Sequence, residues 1–417
     1  MTIGRLNRRG FLALTGGLAA TAGLAACGGS GSDDGLKLIG VADQKKALDE
    51  LTKAYGKVSF NTSYAPTDQV QSSVRTQLGA GNAPDIHVVY PGNGSAMSMV
   101  QISDANLLAD LSDQAWTKKI PDGFKAAYQN KGKTYIFAAG SSVIGAIYNK
   151  KVFTEVGVQP PTTWPEFLAV CEKIKQAGKV PIALGAQTQW VTQLITYALV
   201  PSTVYAKDPD FDKQMAAGKA SFADSGWVDA LEMYLDLQKR GYFNDNPNGT
   251  TFEQQTSMVG TGKAAMAIQV SAVLPDFRKA ADGADDLSMF VVPGADKADD
   301  VWIPAGIVVG LGISARSKKL ADAKKFIEFL GEQKNINAWS EAVACVPFVR
   351  DSSSKIDPVL EPFLPFMENN KAVPFMDQAW PNAEVQPAHF AVVQELLGGK
   401  TTIPDALAKL DQTYRKS

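Results

Sequence analysis

Short apolar runs alternate with polar-faced stretches of helical period along this chain, and the alternation narrows its fold further than any other feature. Leu36–Val41 reads as a buried strand, Gln44–Tyr55 as a helix and Val58–Tyr64 as a second strand. Asp68–Leu78 reads as a helix ended by Ala80-Gly81, and Pro84–Tyr90 as a third strand. This β-α-β-α-β order predicts a doubly wound α/β sheet with helices on both faces, since each amphipathic helix must bury its stripe against the sheet. Ligands of such sheets lie beyond the carboxyl ends of the strands. Asp43 and Gln44 follow the first strand and Tyr90 and Asn93 end the third, so these positions face that region. Further strands are expected at Thr134–Ala139, Val143–Tyr148, Ala264–Val270 and Leu287–Val292. Helices are expected at Pro165–Ala177, Trp227–Lys239, Phe252–Gly260, Ala321–Leu330 and Ile403–Tyr414. No repeat and no long internal linker interrupts the pattern, and 417 residues suit two closely connected lobes.

Composition excludes some functions. Hydrophobic residues make up 45% and charged residues 20%, and the formal net charge is −2. No basic cluster points to nucleic acid. With only His87 and His389 present, a multi-histidine metal site is ruled out, and a triad or histidine acid/base would have to use one of these two.

The first residues read as an address. Arg5, Arg8 and Arg9 form a positive stretch ahead of the weakly apolar run Phe11–Ala26, which is too short and Gly/Ala-rich for a comfortable membrane span. Asn7-Arg8-Arg9-Gly10-Phe11-Leu12 resembles a twin-arginine export signal. Leu24-Ala25-Ala26-Cys27 resembles a lipoprotein lipobox, in which the Cys27 thiol takes a diacylglyceryl group and becomes the mature N-terminus. Residues 28–35, GGSGSDDG, form a flexible tether with a random-coil span on the order of 15 Å. Of the remaining cysteines, Cys171 shares a helical face with Phe167, Val170 and Ile174 and is expected in a core. Cys345 lies in an apolar stretch; a Cys171–Cys345 disulfide is an alternative outside the cytosol.

From Gly79 onward the chain resembles the extracellular solute-binding protein family 1, the sugar receptors of ABC importers. The resemblance is carried by Gly81-Asn82-Ala83-Pro84-Asp85-Ile86, Leu107-Leu108-Ala109-Asp110-Leu111, Gly132-Lys133-Thr134-Tyr135 and Ala146-Ile147-Tyr148-Asn149-Lys150. It continues through Pro161-Thr162-Thr163-Trp164-Pro165-Glu166-Phe167, Gly262-Lys263-Ala264-Ala265-Met266 and Ala321–Leu330. It implies a two-lobed periplasmic-binding-protein fold of type II, each lobe a doubly wound sheet, joined by a hinge. Residues 1–27 would be the signal peptide with lipobox and 28–35 the tether. Lobe one would be 36–142 and 302–346, and lobe two 143–301 and 347–417. The implied function is a lipid-anchored, extracytoplasmic receptor at the cell membrane. It would capture a sugar or polyol between the lobes and pass it to ABC permease subunits. No cofactor, metal or catalytic residue is expected, and the chain is expected to be a monomer.

Sugars need aromatic faces for their C–H patches and planar polar groups for their hydroxyls. Trp190, after the polar loop Gly185–Gln189, stands where family members often place a stacking tryptophan, with core packing as the alternative. Trp302 precedes Ile303-Pro304-Ala305-Gly306, and Gly306 would let backbone approach a ligand. The family pattern also implies a cleft acid near Asp68, otherwise an N-cap or first-turn acid, and a ligand-binding polar residue at Ser142 or its neighbour Ser141. Tyr90, Asn93 and Ser271 sit at strand ends. Many relatives carry a tryptophan near Ala272; its absence leaves one stacking wall open, for which Trp380 is the candidate. Trp339 and Trp164 read as core.

Two rival classes stay open: an extracytoplasmic sugar-binding sensor component, and a carbohydrate-active extracellular enzyme. An enzyme needs a paired set of carboxylates that no motif proposes. Ser352–Lys355 fits a serine–lysine pattern without its companion motifs. Gly260–Lys263 lacks phosphate-loop spacing. Asn244, Asn246, Asn248 and Gly249 mimic the start of a calcium loop, but Gln255 stands where the glutamate belongs, so a turn is expected.

Overall fold

The strands are β1 (Leu36–Val41), β2 (Phe60–Ala65), β3 (Ile86–Val89), the two-residue β4 (Gln129–Asn130) and β5 (Lys133–Thr134), β6 (Gly140–Asn149), β7 (Val180–Ile182), β8 (Ala264–Val270), β9 (Leu287–Phe290), β10 (Ile303–Gly306), β11 (Gly310–Ile313), β12 (Val346–Pro347) and β13 (Ala372–Val373). The computed structural model describes residues 35–95, 97–121, 124–281 and 283–416. The expected leader, Cys27 and the tether up to residue 34 lie outside the described residues. Among the described residues no helix is long and apolar enough to cross a membrane.

The smaller sheet has the order β11-β3-β1-β2. β1 pairs in parallel with β2, from Leu36↔Phe60 to Val41↔Ala65, and with β3 through Leu38↔Ile86. β11 closes the other side antiparallel to β3, Gly310↔Val89 to Ile313↔Ile86. The helices Lys45–Tyr55 and Thr67–Ala80 are the crossovers, and each ends at a left-handed glycine, Gly56 and Gly81, the conformation glycine adopts most cheaply. The larger sheet is mixed, with the order β13-β10-β6-β8-β7. The ten-residue β6 is its spine: it runs antiparallel to β8 and β10, and also pairs with β9 and β12.

Each sheet has its own core. Leu38, Val74, Val88, Leu311 and Ile327 pack around the smaller one; Ile147, Phe167, Leu199, Trp227 and Leu407 around the larger. Each such fully buried side chain contributes roughly 1.5–3 kcal/mol. The chain passes between the cores from Ala139 to Val143, from Ala305 to Ile307 and from Cys345 to Val346.

Three expectations need correction. Residues 302–306 are expected in the first lobe, but β10 pairs with β6, and Ile303 and Ala305 pack in the larger core; packing in the smaller core resumes at Ile307. Thr134–Ala139 is not one strand: Tyr135 N–H donates to Tyr128 and Phe137 N–H to Leu311, so the run changes partner along its length. The second strand begins at Phe60, not Val58. Cys171 packs in a core as expected; it and Cys345 are free and buried in different cores, so the disulfide alternative falls away.

Candidate functional site

A cavity of about 510 Å³ opens where the carboxyl ends of β1 and β2 face elements of the larger-sheet lobe. Ala42 and Asp43, directly after β1, and Pro66, Thr67 and Asp68, directly after β2, form one wall. The opposite wall comes from three pieces of the larger lobe. Thr188 and Trp190 lie on the loop after β7; Phe252, Glu253 and Thr256 on the helix Phe252–Gly260; Asp276 and Lys279 on the helix Leu274–Ala280.

The aromatic part of the site is held by backbone. A capping box starts the helix Phe252–Gly260: Thr251 Oγ1 accepts from Gln254 N–H, and Gln254 accepts from Thr251 N–H. Phe252 N–H donates to Thr188 Oγ1 at 3.0 Å, which ties the Trp190 loop to this helix. Gly185 permits the contact, because a Cβ there would sit 2.7 Å from the Thr251 carbonyl oxygen. Trp190 is half-buried, its ring 5.1 Å from that of Phe252 and tilted by 51°. Phe252 is backed by Phe277 at 6.1 Å. The result is an apolar shelf with an open face, which suits the C–H side of a sugar ring.

The polar part is acidic. Burial, then the Asp276 charge, pushes the Asp43 carboxyl up to about 7. Asp43 Oδ1 is enclosed with no hydrogen-bond partner among the described residues. Burial also raises Asp276, against the pull of Lys279. Asp68 is raised by burial as well and makes no cap bond, since Pro66 occupies the N-cap position. The Tyr90 hydroxyl neighbours Gln71, Thr67, Asp43 and Asp68, and burial raises its pKa.

Of the residues singled out in the sequence, Asp43, Asp68 and Trp190 line this cavity and Tyr90 stands behind its acidic wall. The others lie elsewhere. Asn93 is at the lobe junction, where its Nδ2 donates to the Pro381 carbonyl. Ser141 and Ser142 are buried in β6 opposite Val346 and Gly306. Ser271 is fully buried, and its Oγ accepts from Val143 N–H at 3.2 Å. Gly306 does leave room for a close approach, but Phe375 takes it: a Cβ would meet that ring at 3.0 Å. Trp302 packs on the larger core with its backbone tied to Ser202 Oγ. Trp380 is 2% exposed among Tyr197, Phe222, Trp227 and His389, so it cannot supply a stacking wall. Trp339 and Trp164 are buried. Phe252, Asp276 and Lys279 carried no sequence signal of their own; the folding of separate segments brings them together.

The rival motifs have structural uses. Asn244 Oδ1 accepts from Leu184 N–H and Asn248 Nδ2 donates to Gln394, so the calcium-like run is a pinned turn. Ser353 and Ser354 bond Asp351 and Asn337. Both histidines are buried, pushed down to about 4 (His87) and about 3 (His389) by desolvation. Among the described residues no group of three His, Cys, Asp or Glu side chains could hold a metal ion.

Known proteins share this architecture. The multiple sugar-binding protein of Streptococcus mutans is 24% identical over 76% of this chain and 76% of its own length. The melibiose/raffinose/stachyose-binding protein of Bacillus subtilis is 22% identical over 84% of this chain and 81% of its own. The solved structure of a chitin oligosaccharide binding protein superimposes with a TM-score of 0.77 at 21% identity, covering 91% of this chain and 98% of that one. The fold is therefore the two-lobed type II periplasmic-binding fold. The family model described as bacterial extracellular solute-binding protein matches residues 46–362, and the chain belongs to that family.

Proposed function

We propose that this protein is the lipid-anchored receptor of an ABC importer, capturing a sugar or related polyol between its lobes and delivering it to membrane permease subunits. One observation carries the reading: an open aromatic shelf, Trp190 on Phe252, faces the strand-end acids Asp43 and Asp68 across a cavity that both lobes line. Apolar ring faces and hydroxyl edges need that pair of surfaces. The names of the relatives, a multiple sugar-binding protein and a melibiose/raffinose/stachyose-binding protein, support an oligosaccharide. We assign lobe one to 36–142 and 307–345, and lobe two to 143–306 and 346–417. The crossings between the cores act as the hinge. Calorimetry against mono- and oligosaccharides, with product analysis of the same mixtures, tests the reading. Saturable binding without turnover is expected; hydrolysis of a bound sugar would replace the receptor with an enzyme.

A further inference from the structure

We propose that the solute is a cationic amino sugar or amino-oligosaccharide, whose ammonium group seats between Asp43 of one lobe and Asp276 of the other. The proposal rests on the sugar-receptor reading and narrows its substrate class.

The balance of donors and acceptors is the first ground. The cavity presents four carboxylates, Asp43, Asp68, Glu253 and Asp276, against one ammonium, Lys279. Among the described residues no arginine, asparagine, glutamine or histidine lines it. Thr256 Oγ1 already donates to the Phe252 carbonyl, while Thr188 Oγ1, which accepts from Phe252 N–H, keeps its own proton to donate. A neutral sugar hydroxyl donates one bond and can accept two, and on these walls it meets more acceptors than donors. An ammonium donates three bonds and accepts none.

The second ground is where the acids stand. Asp43 follows β1 in one lobe, and Asp276 lies on the helix Leu274–Ala280 of the other. Both line the same cavity, and Asp43 Oδ1 is enclosed without a hydrogen-bond partner among the described residues. When both are ionised, like charges on the two lobes oppose closure. A cation between them turns repulsion into two charge-assisted bonds, and it does so only when the lobes are together. That is the differential affinity a ligand needs to drive closure. Glu253 and Asp68 add negative charge, and Lys279 is the one cation on the walls among the described residues. Because no three acids among the described residues converge on one point, the geometry suits an organic cation rather than a metal ion. The adjacent Trp190–Phe252 shelf takes the apolar face of the same ligand.

The test is calorimetry on the purified protein with ligand pairs that differ only at carbon 2. Glucosamine, galactosamine and the β-1,4 glucosamine oligomers are set against the matching hydroxyl sugars, with N-acetylated forms as uncharged amide controls. In at least one pair the amine should bind at least about tenfold tighter than its hydroxyl and amide counterparts, with the preference shrinking as salt is added. Asp43→Asn and Asp276→Asn should each weaken the amine more than the hydroxyl sugar, collapsing the ratio to within about twofold. Melting of each variant checks the fold, and if one fails to fold the other, on the opposite lobe, decides. A hydroxyl sugar that binds as tightly as its amine overturns the cationic assignment and leaves the receptor reading standing. A preference that survives both substitutions overturns the Asp43–Asp276 seat. Calcium chloride alone raising the melting temperature of the wild type, but of neither variant, overturns it in favour of an inorganic cation. Binding of no ligand in any pair overturns the receptor reading and this one with it.

Discussion

Asp43 shows how one residue ties the cleft to the stability of the protein. Its carboxyl ordinarily titrates at 3.8 but is held up to about 7 in the fold, by burial and then by Asp276. Between those values the folded chain keeps a proton that the unfolded chain has lost. Stability therefore falls as pH rises through this window, and the full penalty stands above it. Asp43→Asn removes the titrating group. It should stabilise the protein by roughly 1–2 kcal/mol near pH 8, discounted for partial solvent contact, and by almost nothing near pH 4. Urea unfolding at the two pH values checks this; an equal effect at both would mean that the carboxyl is not strained. Trp190 presents the opposite case, a side chain that the proposed function assigns to binding. Trp190→Ala should weaken sugar binding by about 1–3 kcal/mol while changing stability little, because the ring has an open face. Unchanged affinity with a loss of roughly 3–5 kcal/mol in stability would make it a core residue instead. Strand ends mark Asp43 and Tyr90 in the sequence, because the end of a strand is a local property, and the family pattern marks Asp68; the cavity or its wall has all three. Neither signal marks Asp276 or Lys279, which reach the cavity from the other lobe. The family pattern also points to Trp380, whose burial depends on Tyr197, Phe222 and Trp227 from distant segments.

The element scale shows what periodicity can report. Trp227–Lys239, Phe252–Gly260 and Ile403–Tyr414 are helices over the expected residues, and Ala264–Val270 is the expected strand. In the helices an apolar stripe alternates with a solvated face, and that contrast is the signal. The helix Gln193–Val200 went unread because all eight of its residues are buried, leaving no polar face to mark the period. The short strands β10 to β13 escaped because two to four paired residues leave too little pattern. The helix Phe252–Gly260 also links fold to site, since its first turn carries Phe252 and Glu253 into the cavity. Thr251→Ala removes the capping hydroxyl and should cost about 1 kcal/mol of stability. It should also weaken sugar binding several-fold, because the Thr188 bond to Phe252 N–H depends on where that turn begins. Restoration of both properties by Thr251→Ser, measured by melting and calorimetry, would assign the effect to the hydroxyl; no recovery would place it in the lost methyl packing.

At the scale of the whole molecule, the two proposed roles, staying at the membrane and closing on a solute, are separable. Cys27→Ser should release the protein from the membrane fraction, since no helix among the described residues can span a bilayer. Retention after a salt wash would argue against lipid attachment. Sugar binding should be the same in the released protein. In the proposed receptor, closure would turn about the crossings between the two cores at Ala139–Val143, Ala305–Ile307 and Cys345–Val346. A ligand that touches one lobe stabilises open and closed forms equally and shifts nothing; reversing a 1:99 preference takes a difference of about 10⁴ in affinity. On the proposed function the cavity is the source of that difference, because Trp190 and Asp43 stand on opposite walls and one ligand would engage both only when the walls approach. Small-angle scattering at saturating sugar should therefore show a smaller radius of gyration than the free protein. Trp190→Ala and Asp43→Asn, compared at equal occupancy, should each reduce that compaction although they alter different lobes. If calorimetry registers binding while the radius stays unchanged, the sugar is held by one wall alone, and the role of the second wall in capture is wrong.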